Sequence, residues 1–164
     1  IAVKFSLTGH LVFSTVHAND ATNTITRLLD IGIQPFLLGS CVNLIVAQRL
    51  IRTICKDCKE EYTPSQTELG IINYPKDKIK STTFYQGKGC SKCRYTGYKG
   101  RTAIDEILEV KQNIRKLVFD SANEETIKTE ALANGMTPLR EAGIDKIEEG
   151  VTTIQEVIRS TVQE

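Results

Sequence analysis

No stretch of this chain approaches the roughly 18 consecutive apolar residues that a membrane-crossing helix needs. A secretory leader is missing too: Ile1 opens directly into IAVKFSLTGH, with neither a charged leading region nor a cleavage site, so a cytoplasmic protein is expected. There is no initiator methionine, and the first residues read as the end of a helix, so the N-terminus is expected to be a cut. There is no internal repeat and no low-complexity linker, which sets aside solenoids and tethers. There is no excess of one charge either. Twenty-one Lys and Arg stand against 20 Asp and Glu, a net charge of +1, so the total points to no partner. Also missing is any complete catalytic constellation. Gly87-Lys88-Gly89 lacks the leading strand and the Ser or Thr of a phosphate-binding loop, and no paired carboxylates stand beside a base.

What is present is a chain of 164 residues with 40% hydrophobic content, enough for one medium domain with a modest core. Its charges are segregated. Residues 76–101 carry eight Lys or Arg and one Asp, whereas residues 120–164 carry ten Asp or Glu and four Lys or Arg. A basic stretch is followed by an acidic one.

The chain is organised around four of its five cysteines. Cys55 and Cys58 form one C-x-x-C pair and Cys90 and Cys93 a second, each on a polar turn. Two such knuckles can bring four thiolates to the corners of a tetrahedron, the geometry of a structural zinc ion. Residues 59–89 intervene, a longer spacer than the usual 15–20 or so. The extra length costs little, because closure entropy grows only with the logarithm of loop length. Two disulfides and a redox C-x-x-C are the competing readings. Nothing else looks secreted, and a redox site ordinarily uses one pair that opens a helix after a strand, so zinc is preferred. Four cysteines would fill the tetrahedron and leave no open position for catalysis. Cys41, in the apolar run FLLGSCVNLIVAQRL, reads as a small buried hydrophobe.

The pattern along the chain is α/β. Residues up to Leu7 read as the last turns of a helix stopped by Gly9. Leu11–Val16 is a β-branched apolar run expected to be a buried strand. Asn19 or Asp20 caps the next helix, with Ile25, Leu28 and Leu29 at helical spacing and Gly32 at its end. Pro35 opens another helix, expected over Phe36 to Gln48 and well buried. Ser65-x-x-Glu68 is a capping box. Thr82–Tyr85 reads as a short strand before the second knuckle, and Thr102–Val110 as a strand alternating between core and solvent. From Lys111 four helices follow, punctuated by Gly135 and Gly150, with Thr137-Pro138 starting the third and Thr153-x-x-Glu156 capping the fourth.

His17 stands where a strand of an open α/β sheet would end, the place where such sheets put their ligands; it donates to a phosphate oxygen or merely caps a loop. His10 reads as structural. Arg49 and Arg52 reach nucleotide or a neighbouring subunit, or are solvated charges at a strand edge; Arg101 reads as structural.

LTGHLVFSTVHAND (residues 7–20), RLLDIGIQPFLL (27–38), VAQRLIRTIC (46–55) and GYKGRTAIDEIL (97–108) resemble, in order, the C-terminal part of the type II secretion and type IV pilus assembly (extension) ATPases. The tail GMTPLREAGIDKIEEGVTTIQEVIR fits as well. The resemblance implies the C-terminal part of a RecA-like ATPase core with an inserted tetracysteine zinc module and a C-terminal helical bundle. It divides the chain into residues 1–54 (core, with the histidine box), 55–101 (zinc module) and 102–164 (a strand and a helical subdomain). His10 and His17 fall in the histidine box, with His17 facing the γ-phosphate. The box departs from the family at Val16 and Ala18, where Leu and Thr are usual. Cys55, Cys58, Cys90 and Cys93 fall on the family's zinc motif, which retraction ATPases lack.

The resemblance also implies that the phosphate-binding loop, the acidic box and the Mg²⁺-holding strand precede Ile1, so this chain alone should not hydrolyse ATP. It further implies a cytoplasmic homo-hexamer, peripheral to the inner membrane and acting on a membrane platform protein. The alternative is a zinc-ribbon-like module that contacts nucleic acid or a protein through residues 76–101, with Phe84, Tyr85, Tyr95 and Tyr98 interleaved. The acidic flank weighs against a polyanion.

Overall fold

Short local signals start and stop most of the helices in the computed structural model, which describes residues 2–161. It holds eight α-helices and four strands among those residues, in two compact units. The first comprises residues up to Ala47 with Glu106–Thr137, and the second Gln48–Asp105 with the residues from Pro138 onward.

In the first unit α1 (Ala2–Leu7) ends as expected, with Gly9 at a φ of 91°. α2 (Ala21–Asp30) begins at Asp20, whose carboxylate accepts the Asn23 N–H at 2.7 Å. The Ala21 N–H goes to the Glu106 carboxylate at 2.8 Å. Two acids thus sit at the positive end of this helix. α3 (Pro35–Cys41) opens on its proline but stops seven residues short of the expected Gln48. Val42 turns extended, with φ −84° and ψ 125°. The β-branched residues that follow go into β1 (Leu44–Ile54) instead. The Arg115 side chain donates to the Gly39 carbonyl and to Asn43 Oδ1, which closes off the helix end. Nor is α3 buried all round, since Phe36 is exposed. α5 (Gln112–Phe119) and α6 (Glu124–Ala133) complete this unit. Ile25, Leu38, Leu108, Ile114, Val118 and Ile127 form its core.

The strand expected over Leu11–Val16 does not form. Residues 10–18 have no regular structure, and Leu11 and Phe13 are 81% and 88% exposed. A strand exists only where a neighbour takes up its N–H and C=O groups. Among the described residues none pairs with this run.

The second unit is built around two ribbons. β1 pairs with β4 (Tyr98–Glu109), and each of these strands contributes residues to both units. β4 begins four residues before the expected Thr102. β2 (Lys59–Glu61) pairs antiparallel with β3 (Tyr85–Gly87), with Glu60 opposite Gln86. β3 starts three residues later than the strand expected over Thr82–Tyr85. α4 (Gln66–Ile72) carries the expected capping box. The Ser65 hydroxyl accepts from the Glu68 N–H at 3.2 Å, and the Ser65 N–H donates back to the Glu68 carboxylate at 2.7 Å. α7 (Leu139–Glu148) and α8 (Ile154–Thr161) pack with α4 through Leu69, Ile72, Ile144, Ile147, Ile154 and Val157. Among the described residues no helix is long and apolar enough to cross a membrane.

Candidate metal centre

The two knuckles are held together by backbone before any metal is considered. The Cys55 N–H donates to the Gly97 carbonyl at 2.9 Å, tying the first knuckle to the end of the second. The Lys88 N–H donates to the Cys58 carbonyl at 2.9 Å, tying the second to the end of the first. Gly87 and Gly97 face each other across this junction. A Cβ on either would run into the other's carbonyl, so only glycine lets the two backbones come this close. Within the second knuckle a 3-10 turn over Ser91–Cys93 is closed by the Tyr95 N–H donating to the Cys90 carbonyl at 2.8 Å.

This framework brings four sulfurs into one cluster. The Sγ atoms of Cys55, Cys58, Cys90 and Cys93 all lie within 4.8 Å of one another. Cys55 and Cys90 are 3.9 Å apart, Cys58 and Cys93 3.8 Å, and Cys90 and Cys93 3.7 Å. A tetrahedron with metal–sulfur bonds of about 2.3 Å has edges of roughly 3.8 Å, so the cluster has the size of a four-thiolate zinc site. None of the four is in a disulfide; all five cysteines are free. Cys55 and Cys93 are buried, and Cys58 and Cys90 partly so.

The electrostatics of the four are unequal. N–H donors at Cys90 and Gly97 hold the Cys93 thiol down to about 6, whereas burial pushes Cys58 up to about 12. The donors around Cys93 favour its thiolate, the form that binds metal, and a bound cation would favour the thiolate at the others as well. The cluster can hold a metal ion but leaves no open position for substrate or water.

The other candidates lie elsewhere. Cys41 is half-buried at the end of α3, and its thiol donates to the Leu37 carbonyl at 2.6 Å. His10 is exposed, 3.0 Å from the Thr8 hydroxyl and edge-on to Phe5. His17 is exposed in the irregular segment before α2, in the first unit. Arg49 is exposed on β1, and Arg101 on β4. Arg52 on β1 keeps a partly exposed side chain but is paired. Its guanidinium donates twice to Glu156, at 2.6 and 2.9 Å, and lies 4.1 Å over the Tyr98 ring.

Sequence reasoning missed two acids. Glu106 lies on the buried face of β4 between Ile104 and Leu108, and the alternation of that strand was the signal that would have found it. Glu156 is fully buried. The Thr153 hydroxyl does accept from the Glu156 N–H at 3.2 Å, so half of the expected capping box forms. The Glu156 carboxylate does not return to Thr153. It is taken by Arg159, by the Arg52 guanidinium and by the Arg52 N–H. Burial drives its pKa up, but these donors outweigh burial and hold it at about 2.

Comparison with known proteins covers nearly the whole chain. Residues 1–159 match the type II/IV secretion system protein family. The type IV pilus assembly ATPase PilB of Myxococcus xanthus is 44% identical over 98% of this chain and 29% of its own length. The type II secretion system ATPase E of Vibrio cholerae is 42% identical over 98% of this chain and 31% of its own. PilB of Thermus thermophilus is 40% identical over 99% of this chain and 18% of its own. The chain thus spans about three-tenths or less of the relatives it matches. From the helix ahead of the exposed histidine to α8, this chain belongs to the type II/IV secretion system protein family.

Proposed function

We propose that the chain is the C-terminal part of an ATPase that powers type II secretion or type IV pilus assembly. The observation that carries this is identity of 40–44% to named secretion and pilus ATPases over nearly the whole chain, combined with its small share of their length. Residues 1–54 supply the last part of a RecA-like nucleotide-binding core, 55–101 a zinc module and 102–164 a strand and helical subdomain. The exposed run Leu11–Val16 becomes a strand once the rest of that core offers it a neighbour. His17 then stands at a strand end, where it donates to the γ-phosphate of ATP, and Arg49 contributes to the nucleotide site. Mg²⁺ and the phosphate-binding loop come from residues ahead of Ile1. Zinc is held by Cys55, Cys58, Cys90 and Cys93, and its role there is structural. The working assembly is a cytoplasmic homo-hexamer against an inner-membrane platform protein, converting ATP hydrolysis into domain motion. A zinc-ribbon contacting nucleic acid would account only for the region of residues 55–101, whereas the family match runs to residue 159.

The test is ATP turnover. The 164-residue chain alone is expected to show none above background. The same chain, expressed with the residues that precede it in its gene, is expected to hydrolyse ATP, and His17→Ala to lower kcat on the order of 10²-fold. Turnover by the isolated chain, or an indifferent His17→Ala, would overturn this reading.

A further inference from the structure

Residues 150–156 lie far from the cysteines in sequence yet hydrogen-bond to residues on both sides of the first knuckle and to one that follows the second. The Ile54 N–H donates to the Val151 carbonyl at 2.8 Å, one residue before the first ligand. The Thr152 hydroxyl donates to the Arg52 carbonyl at 2.8 Å. Lys59, one residue after the second ligand, donates to the Gly150 carbonyl at 2.7 Å and lies over the Tyr85 ring. Tyr98, which follows the second knuckle, shares a 2.6 Å hydrogen bond with the Thr153 hydroxyl and carries Arg52 on its ring. Glu156 then fixes Arg52 through both backbone and guanidinium. Both strands that enter and leave the knuckles are thereby anchored to one short segment.

We infer that residues 150–156, with Glu156 as the keystone, act as a clamp that sets the separation of the two cysteine knuckles and so the affinity of the site for its metal. None of these residues can touch the ion, so each is a positioning residue. The clamp works through backbone geometry: a tetrahedral site tolerates little drift in sulfur position, and each pair bridges the two ribbons, Cys55 and Cys58 between β1 and β2 and Cys90 and Cys93 between β3 and β4. The inference rests on the zinc reading of the four cysteines.

The experiment is a zinc titration of the full chain against a chromophoric chelator, with thermal unfolding measured alongside. Glu156→Gln, Thr152→Val and Tyr98→Phe are each expected to weaken zinc binding, Glu156→Gln by about tenfold or more. Thr152→Val and Tyr98→Phe remove one hydroxyl each and keep the core, so they report even if Glu156→Gln folds poorly. Ile72→Val loosens the same unit's core away from the knuckles and is expected to leave zinc affinity unchanged. Wild-type affinity in all three clamp variants, or an equal loss in Ile72→Val, would overturn the clamp while leaving the zinc reading intact. A wild-type chain that takes up no zinc would instead overturn the zinc reading, and the clamp with it.

Discussion

A carboxylate stripped of all its water must be met by fixed donors or it will take a proton. Glu156 is met by Arg52 and Arg159, and its folded-state value near 2 lies below the ordinary value of 4.5. The sign follows. The ionised group stabilises the fold at every pH above about 4.5, and this contribution fades as pH falls through about 2. A shift of that size is on the order of 3 kcal/mol. Wild type and Glu156→Gln are therefore expected to differ in stability at neutral pH and to converge as pH falls to about 2. Urea titrations of both proteins between pH 2 and 7 check this. Parallel pH profiles would show that the carboxylate's charge contributes nothing. That no sequence pattern exposed Glu156 has a simple cause. Its partner Arg52 is 104 positions away, and the nearby Thr153-x-x-Glu156 pattern offered a local role that only half forms.

Elements fixed by their own few residues were legible in advance. Asp20 caps α2, Ser65 and Glu68 box the start of α4, and glycines follow α1, α2, α6 and α7, because each signal acts within one turn of chain. Elements fixed by distant partners were not. FLLGSCVNLIVAQ reads as a buried helix by its apolar content, yet β4 draws residues from Leu44 onward into a ribbon. Leu11–Val16 has strand composition and no strand, since pairing is what makes one. Residues 11–18 make no backbone hydrogen bond among the described residues. Their amides in the isolated chain are expected to exchange with deuterium at close to unfolded-chain rates, while those of Ile45 and Ile51 on β1 stay protected. Slow exchange across 11–18 would mean that the segment has found a partner.

For the molecule as a whole, a metal held by the four cysteines would supply folding free energy to one unit. The second unit's apolar core, from Leu69 to Val157, covers α4, α7 and α8 but includes none of the knuckle residues. Those are held by backbone hydrogen bonds, the clamp and whatever the four sulfurs bind. Chelation is expected to raise exchange in residues 55–60 and 85–98 strongly while leaving α5 and α6, in the other unit, unaffected. Uniform loosening of both units would refute that division. The four clustered cysteines were legible, because each pair is set by a two-residue spacing. The anchoring of their flanks by residues 150–156 was not, because no local pattern ties Gly150 to Lys59.

The same anchor imposes an order in time. Gly150 lies 57 positions after Cys93, the fourth thiol. At about 5–20 residues per second, a ribosome needs roughly three to eleven seconds to add those positions. For that interval the residues that flank the first knuckle lack the hydrogen bonds that Gly150, Val151 and Thr152 make to Lys59, Ile54 and Arg52. A metal bound so early would sit between knuckles that are not yet anchored. On the clamp reading, the site would reach its final affinity only once residues 150–156 emerge.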